Sequence, residues 1–166
     1  MMFVTDECVP APLVVIAFAG KAGAGKSTCA DHLINQHGFE RIKFASALKE
    51  MLRTFLRYRG AAPELIERMV EGDLKERPSP LLNDQTPRRA LQTLGTEWGR
   101  QLIHENLWVD TERDHLPKWG RFVCDDCRFP NEAAMIRGVG GKLIQVVRSE
   151  GVVVMESKGT SPRRTA

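Results

Sequence analysis

No run of apolar residues in this chain approaches the roughly 20 that span a bilayer as a helix, so no segment reads as a membrane span. A signal peptide is not expected, because Asp6 and Glu7 stand where positive charge belongs, and the expected compartment is the cytoplasm. Cysteine is scarce. Cys8, Cys29, Cys124 and Cys127 are the four, and the Cys124-x-x-Cys127 pair lacks the two further ligands a zinc site would need nearby. Small buried thiols in a reducing compartment are the favoured reading. His32, His37, His104 and His115 have no metal-like spacing, and His104-Glu105 is not followed by the second histidine of a zinc-protease helix. There is no internal repeat and no low-complexity tract. A net charge of +3 suits anionic ligands but is too weak to argue for a nucleic-acid partner.

What is present is ordinary globular composition in 166 residues, enough for one domain with a core, and one local pattern that is not ordinary. Gly20-Lys21-Ala22-Gly23-Ala24-Gly25-Lys26-Ser27 fits G-x-x-x-x-G-K-[ST]. Glycines let backbone N–H groups turn inward around phosphate oxygens. Lys26 can reach the outer phosphates, the Ser27 hydroxyl can ligate magnesium, and the helix that follows points its positive dipole end at the same anion. The context agrees. Leu13–Ala19 is a short apolar, β-branched run expected as a buried parallel strand, and Thr28–Gln36 reads as a helix stopped by Gly38. The pattern implies nucleoside triphosphate binding and leaves the reaction open.

Further along, residues 1–12 read as a loose leader and Arg41–Phe44 as a short strand. Ser46 is expected to cap a helix with Leu48, Met51, Leu52 and Phe55 on its apolar face. Pro63 starts a helix that runs from Glu64 to Val70. Residues 72–85 form a polar loop, either a closing lid or an inert connection. Thr86-Pro87 opens a helix with an apolar stripe (Leu91, Leu94, Trp98, Leu102) and a polar row four apart (Arg88, Gln92, Thr96, Arg100). Gly95 and Gly99 lie beside that row. Inside a helix each is about 1 kcal/mol worse than alanine, which points to close approach by a ligand or another backbone. Arg121–Asp125, Leu143–Val147 and Val152–Met155 read as strands, Glu132–Arg137 as a helix, and residues 157–166 as a polar, frayed tail.

Alternating strands and helices imply an α/β fold of three layers, a mostly parallel central sheet covered by helices on both faces, with ligands beyond the carboxyl ends of the strands. One domain over residues 1–166 is expected. If the bound triphosphate donates its terminal group, an acid at a strand end should orient magnesium. Asp126 is the first choice for this and Asp125 the second, each with an ordinary capping or ion-pairing role as the alternative. Arg88, Arg100 and Arg128 are the arginines placed to meet an acceptor phosphate, while Arg89 points about a quarter-turn from Arg88 and reads as surface charge.

Several segments taken together resemble the deoxynucleoside monophosphate kinases of bacteriophages and prophages. They are Gly20–Thr28, Phe44–Lys49, Thr86-Pro87-Arg88-Arg89, the run Leu91-Gln92-Thr93-Leu94-Gly95-Thr96-Glu97-Trp98-Gly99-Arg100, Asn106–Val109, and Asp126-Cys127-Arg128-Phe129-Pro130-Asn131-Glu132-Ala133. The resemblance covers roughly residues 13–148. It implies the P-loop NTPase fold, ATP and Mg2+ as cofactors, and a deoxynucleoside monophosphate as small-molecule acceptor. It implies no stable nucleic-acid or membrane partner, a homodimer as one quaternary option, and a host-cytoplasmic location for a phage-encoded protein. It places Phe44 and Lys49 near the acceptor, and Arg88, Gln92, Thr96, Arg100 and Arg128 on the monophosphate or the transferring group. Trp108 falls near the base or, as an ordinary tryptophan would, in the core. After Arg148 the chain departs from the family pattern and is expected to be short at its C-terminus. Two other enzymatic readings are a kinase of dephospho-coenzyme A, which Phe44–Lys49 also resembles, and a kinase of a modified base within DNA. A nucleotide-gated switch or an inactive relative is the non-enzymatic reading, although N-K-x-D and an aromatic-interleaved basic stripe are both absent.

Overall fold

The computed structural model describes residues 12–149 and 152–157. The expected leader (apart from Pro12), Cys8 and the expected tail (apart from Ser157) lie outside the described residues. The chain divides into two compact units, one made of the residues up to Ile42 and from Leu116 onward, the other of Lys43–His115.

The first unit is a sheet with two helices. Its strands are β1 (Val14–Ala19), β2 (Glu40–Ile42), β3 (Arg121–Cys124), β4 (Lys142–Ser149) and β5 (Val152–Ser157), in the order β2-β3-β1-β4-β5. The first four are parallel and β5 runs antiparallel to β4. Helix α1 (Lys26–His37) connects β1 to β2, and α6 (Pro130–Gly138) connects β3 to β4. The two crossovers travel in opposite directions across the sheet, so right-handed connections put their helices on opposite faces. The packing agrees. Phe18, Val123 and Val146 form one cluster with Ala30 of α1, Phe39 and the partly buried Leu33 and Ile34. On the other face, a Cβ added at Gly141 would lie 2.9 Å from Ile136 Cγ2 and 3.0 Å from Val15 Cβ. Gly38 ends α1 in the left-handed conformation, as its position in the sequence predicts.

The second unit is helical: α2 (Ser46–Tyr58), α3 (Pro63–Val70), α4 (Pro87–Gln92), a π-helix (Thr93–Ile103) and α5 (Leu107–His115). Leu48, Leu52, Leu56, Ile66, Met69, Val70, Leu91 and Trp108 make its core. Full burial of a side chain such as Leu56 or Met69 contributes about 1.5–3 kcal/mol. Two expectations about α2 are corrected. Ala45, not Ser46, is the N-cap, and it offers no side-chain bond. The buried face is Leu48, Lys49, Leu52 and Leu56, while Met51 and Phe55 are exposed. Residues 72–85 are not featureless: Pro80–Leu82 make a turn of 3-10 helix, and Ser79 pairs with Gln85 across it.

The larger correction concerns Thr86–Ile103. Thr86 does cap α4, accepting from the Arg89 N–H at 3.1 Å. Past Gln92 the helix widens, and it closes with the His104 N–H on the Gly99 carbonyl, an i to i+5 bond at 2.9 Å. More residues per turn change which positions share a face, and those three apart fall out of line. Leu91 is buried, but Trp98 and Leu102 of the expected apolar stripe are exposed. The cause sits on the next helix. Trp108 donates from Nε1 to the Gly95 carbonyl at 2.8 Å, and its ring lies where a Gly99 Cβ would be, 2.5 Å away. Close approach at these glycines is therefore made by an indole, a side chain set against the helix backbone, which is a known cause of helix distortion. Trp108 itself is a core residue, 4% exposed.

Arg53 gathers Glu50, Glu67 and Glu71 around α2 and α3. The Arg53 hydrogen bond holds the Glu67 carboxyl below its ordinary value. Burial pushes Glu71 up, but the Lys49 hydrogen bond and the charges of Lys49, Lys43 and Lys75 outweigh it and bring the carboxyl down.

Two predictions follow from these contacts. Gly99→Ala, which would stabilise an ordinary helix, should destabilise this one by about 1–3 kcal/mol through overpacking against Trp108. Gly95→Ala, whose Cβ would meet only Leu48 at 3.5 Å, should be neutral or mildly stabilising. Urea midpoints of the two variants check the contrast, and a stabilised Gly99→Ala contradicts it. Because the folded carboxyls titrate below the unfolded ones, their stabilisation is complete above the ordinary glutamate value of 4.5 and is lost as pH falls below it. Arg53→Met should therefore lower the urea midpoint at neutral pH, by an amount that shrinks in acid. A difference independent of pH would show that the network does not act through charge.

Candidate functional site

The glycine-rich loop leaves the carboxyl end of β1, and its shape is set by close packing on one side and a left-handed turn on the other. A Cβ on Gly20 would lie 2.4 Å from the Val146 carbonyl oxygen, so the backbone here passes against β4 at a distance only glycine allows. Ala24 is buried in the cluster beneath α1 and anchors the far side of the loop. Gly25, at φ 101°, turns the chain into α1. The first turn of α1 carries neither a capping side chain nor an acidic residue, so no carboxylate competes for its N–H groups. Lys26 folds back across the loop and donates to the Gly20 and Lys21 carbonyls at 2.9 and 2.8 Å. Lys21, Ala22, Gly23, Ser27 and Thr28 are exposed. The arrangement is a glycine-rich turn leading into a helix N-terminus without a side-chain cap, with one ammonium folded back onto it; a loop of this kind has the chemistry to hold an anion.

Beside it runs β3. Its register pairs Cys124 with Ala17, so Asp125 and Asp126 fall just past the end of β3 as β1 runs out into the loop. The two carboxylates differ. Asp126 Oδ1 accepts from the Cys124 thiol at 3.2 Å. Asp125 is 8% exposed and its Oδ1 is buried with no hydrogen-bond partner. Its other oxygen lies 3.9 Å from Arg41 Nε, and that arginine already pairs with Asp31 at 2.6 Å. An unpartnered buried carboxylate oxygen is costly unless something completes it. Arg128 is exposed. Its N–H, with that of Phe129, donates to the buried Glu132 carboxylate, at 2.6 and 3.0 Å, so the R-F-P-N-E run owes its glutamate to the start of α6. Cys124 and Cys127 are free, buried thiols. Burial pushes both up, helped at Cys127 by Glu132 and Asp126, where the value reaches about 12, so neither serves as a nucleophile. Among the described residues no group of three metal-ligating side chains occurs, and no helix is long and apolar enough to cross a membrane.

The remaining predicted residues all belong to the second unit. Phe44 is buried. Lys49 is 9% exposed and pairs with Glu71 at 2.8 Å. Arg88 pairs with Glu76, and Arg100 donates to the Glu105 carbonyl at 3.2 Å. Gln92 and Thr96 are exposed. The structure thus groups the loop with Asp125, Asp126 and Arg128 in one unit, and Lys49, Arg88 and Arg100 in the other. The expected four-residue row is interrupted between Gln92 and Thr96 by the onset of the π-helix. Sequence reasoning missed the ion network around Glu71 and the lysines beside it. The only signal was the density of charge in Glu71–Arg77, which reads equally well as a solvated loop.

No family model matches the chain. A protein of Acanthamoeba polyphaga mimivirus named as a deoxynucleotide monophosphate kinase is 30% identical over 155 residues, spanning 82% of this chain and 75% of its own length. The deoxynucleoside-5'-monophosphate kinase of Escherichia phage T5 is 35% identical over 79 residues, 43% of this chain and 32% of that protein. With the four parallel strands, the crossover helices and the loop after β1, the fold is the α/β P-loop kinase fold, and the chain belongs to the deoxynucleoside monophosphate kinase family.

Proposed function

We propose that this protein transfers the γ-phosphate of ATP to a deoxynucleoside 5'-monophosphate, giving the diphosphate and ADP. The observation that carries the reading is the glycine loop after β1, entering α1 without a side-chain cap and with Lys26 folded back onto it. An acceptor phosphate oxygen forms a bond to the γ-phosphorus as the bond from that phosphorus to the β–γ bridging oxygen breaks, and ADP leaves. Little covalent help is needed; charge neutralisation and alignment do most of the work. The loop N–H groups and Lys26 hold the donor phosphates, with Lys26 exchanging its two carbonyl partners for phosphate oxygens. Guanidinium groups suit the acceptor phosphate and the charge on the transferred group, and Arg88, Arg100 and Arg128, with Lys49, are the candidates that the family resemblance offers for those roles.

The residues present suit Mg2+, a hard cation that takes oxygen ligands and keeps several waters. Ser27 supplies a hydroxyl, and Asp125, whose buried Oδ1 lacks a partner, is a better carboxylate than Asp126, whose oxygen is engaged by Cys124. Bound there, the ion would neutralise charge on the donor phosphates.

The test is a coupled ADP assay with ATP and Mg2+, offering each deoxynucleoside monophosphate, dephospho-coenzyme A and a modified-base DNA in turn. Turnover is expected with a deoxynucleoside monophosphate. Lys26→Ala should lower kcat by on the order of 100-fold or more while the urea midpoint stays close to wild type. Asp125→Asn should be more damaging than Asp126→Asn. Turnover confined to another acceptor, or unchanged in Lys26→Ala, refutes the proposal.

A further inference from the structure

Lys49 and Arg88 each pair with a carboxylate in or next to the 72–85 segment, Glu71 and Glu76, and the charges of Lys43 and Lys75 act on the same Glu71. Lys43 opens the unit, Lys49 lies in α2, Arg88 in the first turn of α4, and Lys75 in the segment itself. The backbone draws two of them together, since the Arg88 N–H donates to the Lys75 carbonyl at 2.9 Å. The carboxylates nearby are already engaged. Glu71 is shared by Lys49 at 2.8 Å and Arg53 at 3.3 Å, and Glu76 is held by Arg88. Lys43 and Lys75 form no ion pair among the described residues. Both are half-buried. Lys75 lies close enough to Lys49, Arg88 and Lys43 to be repelled by each, and Glu71 offsets only part of this. Burial first, and then that repulsion, hold its ammonium below the usual lysine value. Like charges gathered faster than the local carboxylates can neutralise them define a place for an anion. Ammonium and guanidinium donors together suit a phosphomonoester dianion.

We propose that Lys75, with Lys43 flanking Lys49 and Arg88, forms the seat for the 5'-phosphate of the acceptor, so that the 72–85 segment contributes a binding residue and is more than a connection. This rests on the kinase reading above for the identity of the acceptor, and on the cation cluster alone for the anion. Lys43 and Lys75 are the members that no carboxylate pins, so they are the ones able to pair with an incoming dianion.

The experiment compares wild type with Lys75→Met, which keeps most of the stem, Lys75→Arg, which keeps the charge, and Arg57→Met, which removes one exposed charge at the end of α2. Urea midpoints confirm folding. The KM for the deoxynucleoside monophosphate should rise about tenfold or more in Lys75→Met, with the KM for ATP unchanged, recovery in Lys75→Arg and no change in Arg57→Met. Calorimetry with each deoxynucleoside monophosphate and with inorganic phosphate separates the two claims. If wild type binds inorganic phosphate but no nucleotide, and Lys75→Met abolishes it, the anion seat stands and the kinase reading falls. If Lys75→Met binds all probes as wild type does, if Arg57→Met is equally impaired, or if wild type binds none of them, the anion seat is overturned.

Discussion

The donor end of the molecule depends on how tightly the glycine loop after β1 is packed between sheet and helix. A loop that leads into a helix without a side-chain cap must be held in shape from outside. Here the means are visible at particular atoms. Gly20 is pressed so close to the Val146 carbonyl that any side chain would push the strand end away from the sheet. Ala24 is sunk in the core beneath α1, which fixes the loop's height above the sheet. Gly25 enters α1 through a backbone conformation that leaves the first turn uncapped. The parallel sheet is what makes this affordable, since β3 and β4 flank β1 and hold its end on both sides.

The second unit is organised by one indole. Trp108 donates to the Gly95 carbonyl and fills the space beside Gly99, and the helix that carries Arg100 is wide for that reason. The consequence reaches the polar side chains. Arg88 and Gln92 belong to a regular α-helix, whereas Thr96 and Arg100 belong to the wider one, and Arg100 is steadied by the Glu105 carbonyl beyond its end. A tryptophan deep in the core thus determines how functional candidates on another helix are presented, which is the usual route by which packing reaches chemistry.

How much of this could be read from the residues varied with how local the cause was. Strand, loop and helix from Leu13 to Gly38 were legible, because β-branched composition, glycine spacing and a glycine stop act within a few residues of themselves. Thr86 and Pro87 announced the start of α4 equally well. The π-helix was not legible, because its cause, Trp108, lies on a different element, and counting in steps of three and four presumes an α-helix throughout. Helix α5 went unread, since Asp110, Glu112, Arg113 and Asp114 leave only Trp108 and Val109 as apolar signal in its buried part. Lys49, placed near the acceptor by resemblance alone, is buried, and Glu71, twenty-two positions away, makes that burial tolerable. For the candidate site, residue types and strand ends pointed to two acids after β3 but not to the difference between them, which rests on a thiol bonded to one and an unpartnered oxygen on the other.

On the proposed reading charge completes the account: the loop and Lys26 would meet a triphosphate, and side-chain cations whose nearby carboxylates are already engaged would meet a monophosphate. The most direct measurement follows the phosphorus itself. ATP labelled with heavy oxygen on the γ-phosphate, incubated with magnesium, the protein and a mixed pool of nucleotides, should yield label in a deoxynucleoside diphosphate and little in inorganic phosphate. Label recovered only in inorganic phosphate, or left entirely in ATP by the folded protein, would contradict the claim that this chain passes a phosphoryl group from one nucleotide to another.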